Sequence, residues 1–297
     1  MVGCFGGKPD PNDEWNGAWD CLIYIYALYA ALALLSLLSY LPQPILNQRR
    51  RSTEGLSPDW ALWLTVGVAY RLLAASLVTV SNHTLRLPFG GNTGWLSGPY
   101  WGMWDGGLLV LIYELIATSI TLAQTALLPH RRPLGISPTS RTLLWGCVAT
   151  TIGSLMAMVL SNIGAEKFGR EGWSGDDFVS TLNLITIMTS LYKYVPQARL
   201  NRQRKSTEGF SKLQILLDAV AWLPVVATWV LTAIRELWRG GGPRIGMPWL
   251  NFVCSIGSFA EDGWLLWQWW RYRGGEGSEE RSQVEGEEVG ERAPLFG

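Results

Sequence analysis

The feature that most constrains this chain is an apolar run at residues 21–41, which holds 21 residues and no charged side chain. An α-helix rises about 1.5 Å per residue, so a helix of this length crosses a hydrocarbon layer about 30 Å thick. Seven such apolar segments occur in the sequence. They lie at 18–41, 58–81, 105–128, 142–163, 176–197, 213–235 and 247–271. The sequence therefore predicts an all-α membrane protein with seven transmembrane helices embedded in a lipid bilayer.

Composition argues against other classes of protein. Charged residues make up 16% of the chain, whereas soluble domains carry about 25%, so a soluble enzyme is excluded. The 24 basic residues balance 24 acidic ones, and no region is basic enough to bind nucleic acid. The four cysteines lack the spacing of a metal site or a disulfide framework, and only His83 and His130 are histidines. We expect no metal, no cofactor and no enzymatic activity.

Basic residues set the predicted orientation. They are concentrated in the loops that follow the first, third and fifth segments, and again directly after the seventh. Positive charge accumulates on the cytosolic side of membranes, so the N-terminus is predicted to be lumenal and the C-terminus cytosolic. The acidic, glycine-rich tail at 272–297 is predicted to be disordered. Its end, Glu291 to Phe296, is close to an acidic dileucine motif, which suggests a sorting adaptor as a partner.

An internal duplication organises the chain. Residues 40–57 read YLPQPILNQRRRSTEGLS and residues 194–211 read YVPQARLNRQRKSTEGFS, with 11 of 18 positions identical at an offset of 154. Both copies follow a segment on the predicted cytosolic side, so the two parts share one orientation. Parallel repeats of this kind are a transporter architecture with the substrate site near the midplane. The predicted order is a lumenal N-terminus (1–17), a three-helix repeat (18–128), a linker with the fourth helix (129–163), a second three-helix repeat (164–271) and the tail (272–297).

The duplicated segment resembles a known family. Each copy carries a Pro-Gln pair, as the PQ-loop family of membrane transporters does. The second copy continues from Lys193 through Lys-Ser-Thr-Glu-Gly to Leu-Leu-Asp218 and is similar to the cystinosin branch. This resemblance implies proton-coupled export of cystine, or of a related amino acid, from the lysosome or vacuole to the cytosol by alternating access. Asn251 stands where the resemblance leads us to expect a lysine.

Charged residues inside predicted spans are costly and usually functional, and three of them lie at similar depth. Lys193, Asp218 and Asp262 all lie in the predicted cytosolic half of the membrane. One lysine neutralises one carboxylate, so the other is expected to bind a proton readily. The alternative is a static ion pair beside a solvated aspartate. The resemblance implies that Asp218 is the coupling carboxylate and that Asp262 is a second embedded one.

Further site residues follow from local pattern and resemblance. Asp59, after Ser57-Pro58, has the pattern of a first-turn cap, whereas the resemblance implies that it is a third proton-coupling carboxylate. Ser211 to Gln214 has the pattern of a capping box. Four residues are the predicted substrate contacts: Asn201, Lys193, Gln214 and Asn47.

The Pro-Gln pairs are predicted hinges. Pro42 and Pro196 each lack a backbone donor and are expected to kink the chain where the first and fifth spans end. Gln43 and Gln197 are expected to satisfy the carbonyls that the prolines leave free. The alternative is that the prolines simply end these helices before the basic loops.

Arg71 and Glu114 are predicted to lie at matching depth, about 20 Å from the cytosolic face, in the second and third spans. We expect them to form a structural ion pair inside the first repeat rather than a substrate clamp.

Two other functions compete with the cystine exporter. One is a vacuolar cationic amino-acid carrier or a SWEET-like sugar carrier of the PQ-loop family. The other, from a different class, is a seven-helix cargo or signalling receptor. The Lys-Ser-Thr-Glu-Gly loop followed by Leu-Leu-Asp218 favours the cystinosin branch, and the sequence holds neither the Asp-Arg-Tyr nor the Asn-Pro-x-x-Tyr motif of G-protein-coupled receptors.

Overall fold

A computed structural model describes residues 34–35, 37–80, 105–128, 135–168, 175–223 and 248–272, which form helices joined by turns, with no strand among them. The helices are α1 (Pro42–Arg50), α2 (Pro58–Val80), α3 (Asp105–Leu127), α4 (Pro138–Phe168), α5 (Gly175–Tyr192), α6 (Val195–Arg204), α7 (212–223) and α8 (Pro248–Tyr272). We call residues 34–128 the first half and residues 175–272 the second half.

The chain is an all-helical membrane protein. Three described helices are long and apolar enough to cross a bilayer: Pro58–Val80, Leu108–Leu127 and Pro138–Ser161. Large apolar side chains such as Leu109 and Trp145 are about 70% exposed on their outer faces, an arrangement that suits lipid rather than water. The N-terminal segment and the tail with its sorting-like motif lie outside the described residues.

The predicted spans agree with the helices at some ends and differ at others. Predicted segments 58–81, 105–128 and 247–271 match α2, α3 and α8 to within a residue at each end. The fourth was predicted too short, since α4 runs from Pro138 to Phe168 over 31 residues. The first and sixth segments are described only in part.

The fifth span was predicted too long, and the prolines explain why. Helix α5 ends at Tyr192 and α6 begins at Val195, with Pro196 in its first turn. The same break separates helical residues 37–39 from α1, which begins at Pro42. Proline has no N–H and clashes with the carbonyl four residues earlier, so it fits the first turn of a helix and not its interior. The basic loops are therefore short helices of their own, and the chain breaks just before each proline.

Both short helices end in the same way. Arg51 and Lys205, at equivalent repeat positions, have positive φ angles of 49° and 51°, and each backbone N–H is bonded to a carbonyl of the preceding turn. A left-handed residue at this position satisfies carbonyls that the helix leaves unpaired. The chain then turns back toward α2 in the first half and toward α7 in the second.

The two halves share one core. Helix α2 packs along both α3 and α5, α4 packs on α5, and α8 packs on α5 and α6. At the α2–α5 contact a Cβ added to Gly67 would lie 2.9 Å from Thr189 Oγ1, so the two backbones approach closely there. The largest buried cluster joins residues of both halves: Leu56, Trp60, Ala61, Leu64, Tyr194, Ala198, Phe210, Ile215 and Leu265. This core brings the two duplicated segments together.

Candidate functional site

The glutamine of each Pro-Gln pair reaches across to the other half. Gln43 is fully buried, and its Nε2 donates to the carbonyl of Gly209 at 2.9 Å. Its Oε1 accepts the backbone N–H of Ser211 at 2.7 Å. Both ends of one amide are therefore bonded to the loop before α7 in the other half.

Gln197 makes the mirror-image contacts. Its Nε2 donates to the carbonyl of Gly55 at 2.9 Å, and its Oε1 accepts the backbone N–H of Ser57 at 2.8 Å. Every partner is displaced by the same 154 residues that separate the two copies. We call this reciprocal arrangement the clasp; its residues are Gln43, Gly55, Ser57, Gln197, Gly209 and Ser211.

The clasp completes the N-terminal caps of two helices. Ser57 Oγ accepts the N–H of Trp60, and Ser211 Oγ accepts the N–H of Gln214, both at 3.4 Å. In a capping box, the residue at the third helical position would bond back to the N–H of the capping serine. Here a glutamine from the other half takes that place. The capping box predicted at Ser211–Gln214 is thus only half formed.

Two glycines let the loops meet. Gly55 and Gly209 have φ angles of +93° and +97°, which side-chain-bearing residues rarely adopt. A Cβ on Gly55 would lie 1.9 Å from the carbonyl oxygen of Glu208, and one on Gly209 would lie 2.0 Å from that of Glu54. The two Ser-Thr-Glu-Gly loops are in backbone contact, and only glycine fits at either position.

A second ring of amides supports the clasp. Asn47 accepts a bond from Gln43 and donates to Gln124 of α3 at 2.9 Å. In the second half, Asn201 accepts from Gln197 and donates to Gln268 of α8 at 3.2 Å. Each outer glutamine also donates to a backbone carbonyl of the short helix, at Pro44 and Ala198 respectively. The amides therefore tie each short helix to the last helix of its own half.

These contacts correct one sequence expectation and qualify another. Gln43 and Gln197 do not satisfy carbonyls freed by their own prolines; they bond the opposite loop instead. Asn47 and Asn201 were expected to contact substrate, yet both ends of each side-chain amide are bonded to protein. Local sequence signals the duplication but not which loop each amide meets.

A buried charge cluster lies in the second half, next to the clasp. Lys193 occupies the turn between α5 and α6, and its Nζ is 3.1 Å from Asp218 Oδ2 of α7. Tyr194 donates its hydroxyl to the same oxygen at 2.7 Å, and its ring lies 4.5 Å from the lysine nitrogen. Asp218 thus receives two donors, and the predicted proximity of Lys193 and Asp218 is present.

Asp262 of α8 is fully buried beside this group. Neither of its carboxylate oxygens has a hydrogen bond of normal geometry among the described residues. It lies within electrostatic range of both Lys193 and Asp218. Gln214, one turn before Asp218, is also buried, and its Oε1 has no partner in the described part of the chain.

Sequence reasoning missed Glu261. This residue adjoins Asp262 on α8, is in electrostatic range of Lys193 and Asp218, and has a buried Oε2 without a hydrogen bond among the described residues. The available signal was a second acid next to Asp262 inside an apolar segment. A charge at that depth is costly wherever it points.

Asp59 does not join the cluster. Its Oδ1 accepts the backbone N–H of Ser137 at 2.9 Å, directly before α4. The hydroxyl of Ser137 accepts the backbone N–H of Ser140 in the first turn of α4. The hydroxyl of Ser140 in turn accepts the indole N–H of Trp63 at 3.0 Å. The observed contact is that of a cap joining α2 to the start of α4.

Arg71 and Glu114 do meet. The guanidinium of Arg71 on α2 donates to the Glu114 carboxylate on α3, and Glu114 is 3% exposed. This is the ion pair that matching depth in the second and third spans predicted. Within the described residues no group of three or more His, Cys, Asp or Glu side chains is placed to hold a metal ion.

The chain matches the family model of the PQ loop repeat twice, at residues 24–76 and 178–236. It is 29% identical to cystinosin of Bos taurus over 185 residues, covering 61% of this chain and 45% of the relative. The cystinosin homolog of Caenorhabditis briggsae gives 29% over 197 residues, covering 66% and 45%. The cystinosin homolog of Arabidopsis thaliana gives 26% over 253 residues, covering 81% and 83%. The matched part thus spans less than half the length of the two animal relatives.

Proposed function

Starting from the chain's place as a cystinosin-like member of the PQ-loop family, we propose that it is a proton-coupled transporter that exports cystine or a related amino acid. Export runs from the lumen of a lysosome or vacuole to the cytosol. The observation that carries this proposal is a reciprocal clasp between duplicated segments beside a buried, incompletely neutralised charge cluster. A static membrane scaffold needs neither feature.

The architecture we propose is seven spans in a 3+1+3 order, with α4 as the linking helix. The clasp holds the two halves together at the end that carries the basic short helices, which the positive-inside rule assigns to the cytosol. When the clasp is formed, that end is shut and the site opens to the lumen. Breaking the reciprocal bonds lets the halves rock apart on the cytosolic side, with the breaks before Pro42 and Pro196 acting as hinges.

The charge cluster supplies the coupling. We propose that Asp218 and Asp262 carry the coupling proton between the acidic lumen and the near-neutral cytosol. Lys193 and Tyr194 hold Asp218 in place. A change in charge beside Tyr194 is transmitted to α6, since Tyr194 directly precedes that helix and packs against Trp60 of α2. Protonation can therefore bias the clasp, because its Gln197 lies one turn further along the same helix.

The substrate contacts we propose are Gln214 and Lys193 in the clasped state, joined by Asn201 and Asn47 once their amide network opens. The buried Oε1 of Gln214 has no partner within the part of the chain that the structure describes. The tail is proposed to carry the sorting signal that an adaptor reads.

Uptake of a labelled amino-acid panel into proteoliposomes tests the function. The purified full chain is reconstituted, and a pH gradient is imposed in either direction or omitted. We expect uptake only when the lumenal side is acidic, and its loss when an uncoupler dissipates the gradient. Protein-free liposomes and the Asp218→Asn variant are the controls. If no amino acid moves under any gradient, the chain is not a transporter of this class.

A further inference from the structure

A second reciprocal contact, made of charged side chains, accompanies the clasp. The guanidinium of Arg50 donates to the carboxylate of Glu208 at 2.6 Å, and that of Arg204 lies 4.0 Å from the carboxylate of Glu54. Each residue of one pair is displaced by 154 positions from its counterpart in the other. We call these two contacts the outer ion pairs. Each of them joins one half of the molecule to the other.

The backbone holds both pairs in the same way. Each arginine is the last residue of a short helix, α1 or α6, and each glutamate precedes the glycine of a Ser-Thr-Glu-Gly loop. The hydroxyl of Ser52 accepts the backbone N–H of Glu54, and the hydroxyl of Ser206 accepts that of Glu208, both at 3.1 Å. The two loops therefore have the same local turn, and each presents its glutamate to the short helix of the other half.

The outer ion pairs differ from the clasp in their exposure to water. The clasp glutamines are fully buried, whereas the two arginine side chains are each 33% exposed. The side chains of Glu208 and Glu54 are 63% and 41% exposed. Exposed ion pairs add little to folding stability, and salt screens them. A contribution of that size still shifts a balance between two conformations of similar free energy.

We propose that the outer ion pairs set the balance between the shut and the open cytosolic end and make that balance sensitive to ionic strength. They form only while the two loops are in contact, since each pair spans both halves. Their loss therefore favours the state that is open to the cytosol and depletes the state that receives lumenal substrate. This inference rests on the transport cycle proposed above and names a means of regulating it.

The first test measures transport in proteoliposomes containing the full chain. The substrate is the labelled amino acid of the panel above that the wild type moves fastest. Its KM on the lumenal side is compared for the wild type, Arg50→Glu and the double variant Arg50→Glu/Glu208→Arg, at about 50 mM and about 500 mM KCl, a range over which the screening length shortens about threefold. Arg49→Glu, at the neighbouring exposed arginine, is the matched control.

We expect Arg50→Glu to raise this KM about two- to fivefold at low salt, the range for losing one exposed ion pair, with little change in the unfolding temperature. The double variant should restore the KM, because it re-forms the pair with its charges exchanged. High salt should raise the KM of the wild type. It should have no such effect when Arg50→Gln, Glu54→Gln, Arg204→Gln and Glu208→Gln are combined.

A second test detects opening without transport. Spin labels are attached at Gln48→Cys and Gln203→Cys, two exposed positions on the short helices, in a chain whose four native cysteines are replaced by serine. We expect a longer distance to become populated at high salt, and already at low salt in Arg50→Glu. Arg49→Glu should leave the distance distribution unchanged.

Two results overturn the proposal while transport stands. One is an Arg50→Glu variant with the KM of the wild type, and the other is a salt response that persists in the combined glutamine variant. If no amino acid moves at all, the transport function is refuted, and the spin labels still decide the role of the outer ion pairs. A label distance that neither salt nor Arg50→Glu changes would refute that role.

Discussion

The clasp and the charge cluster lie side by side, and they differ in symmetry. Each cross-half clasp bond has a counterpart at an offset of 154 residues. The charge cluster has none, since the positions equivalent to Lys193 and Asp218 are Ser39 and Leu64. Duplication kept the parts that join the halves and let the chemistry of one half diverge. The transport cycle proposed above, with one site and two moving halves, needs both properties.

The first half has its own buried charges, but they are balanced. Arg71 and Glu114 neutralise one another, whereas the second half places three carboxylates, of which Asp262 is fully buried, around one lysine. The clasp is thus symmetric and the Arg71–Glu114 pair is neutral, whereas the single charge cluster has more carboxylates than cations. Four experiments probe that contrast.

The largest effect is expected at the contact between the two loops. Gly209→Ala adds a Cβ at a φ of +97° and 2.0 Å from the Glu54 carbonyl oxygen. The left-handed backbone alone costs about 1–2 kcal/mol for a side-chain-bearing residue, and the backbone clash adds to it. We expect loss of the peak of folded protein in size-exclusion chromatography. Gly153→Ala, where a Cβ meets nothing within 4 Å, is the matched control, and folding of both variants alike would contradict the clasp.

The next effect concerns coupling. Asp218→Asn should keep the bonds from Lys193 and Tyr194 but remove the titratable charge, and so abolish uptake driven by a pH gradient and its proton current. Substrate binding, measured by scintillation proximity, should weaken less, and Asp218→Glu should retain some coupling.

Asp59→Asn is the control for that experiment. The Asp59 side chain bonds the N–H of Ser137, an acceptor role that asparagine also fills, so coupling should persist. If Asp218→Asn still accumulates substrate from a proton gradient, Asp262 becomes the carrier to test. If Asp59→Asn abolishes coupling, Asp59 has a role in proton coupling in addition to capping α4.

An intermediate effect is expected from the neutral pair of the first half. Arg71→Ala leaves the Glu114 carboxylate buried without its cation and should destabilise the fold by about 3–5 kcal/mol. Adding Glu114→Gln should recover part of that loss, because no uncompensated charge remains. Thermal unfolding of both singles and the double variant gives the coupling energy. Strictly additive losses would mean that the two side chains act independently.

The smallest expected difference, that between two equivalent variants, tests the symmetry of the clasp. Gln43→Ala and Gln197→Ala each remove the partner of one buried carbonyl, one buried N–H and one asparagine side-chain oxygen, at a cost of about 1–3 kcal/mol for each unsatisfied group. The two variants should therefore lower the unfolding temperature by similar amounts. If one variant strongly lowers the unfolding temperature and the other leaves it unchanged, only one of the two glutamines stabilises the fold. Gln203→Ala, an exposed glutamine on α6, serves as the control.

Much of the site was within reach of the sequence. The repeated Pro-Gln and Ser-Thr-Glu-Gly residues mark the segments that form the clasp, and matching depth predicted the Arg71–Glu114 pair. Lys193 and Asp218 stood out because charges inside apolar segments are rare. Glu261 carried the same signal and was missed, since the adjoining Asp262 already accounted for an embedded acid.

The sequence by itself determined the apolar helices, the duplication and the proline positions that forbid a continuous helix. Only the tertiary structure decided where the side-chain amides of Gln43 and Gln197 point. Each bonds the loop of the opposite copy. The physical reason is that an amide bonds whichever backbone groups packing leaves unpaired, and those groups lie 140 to 168 residues away. The meeting of Asp218 with Lys193 and Tyr194 is likewise a property of packed helices, because neither segment alone reveals which donors the carboxylate finds.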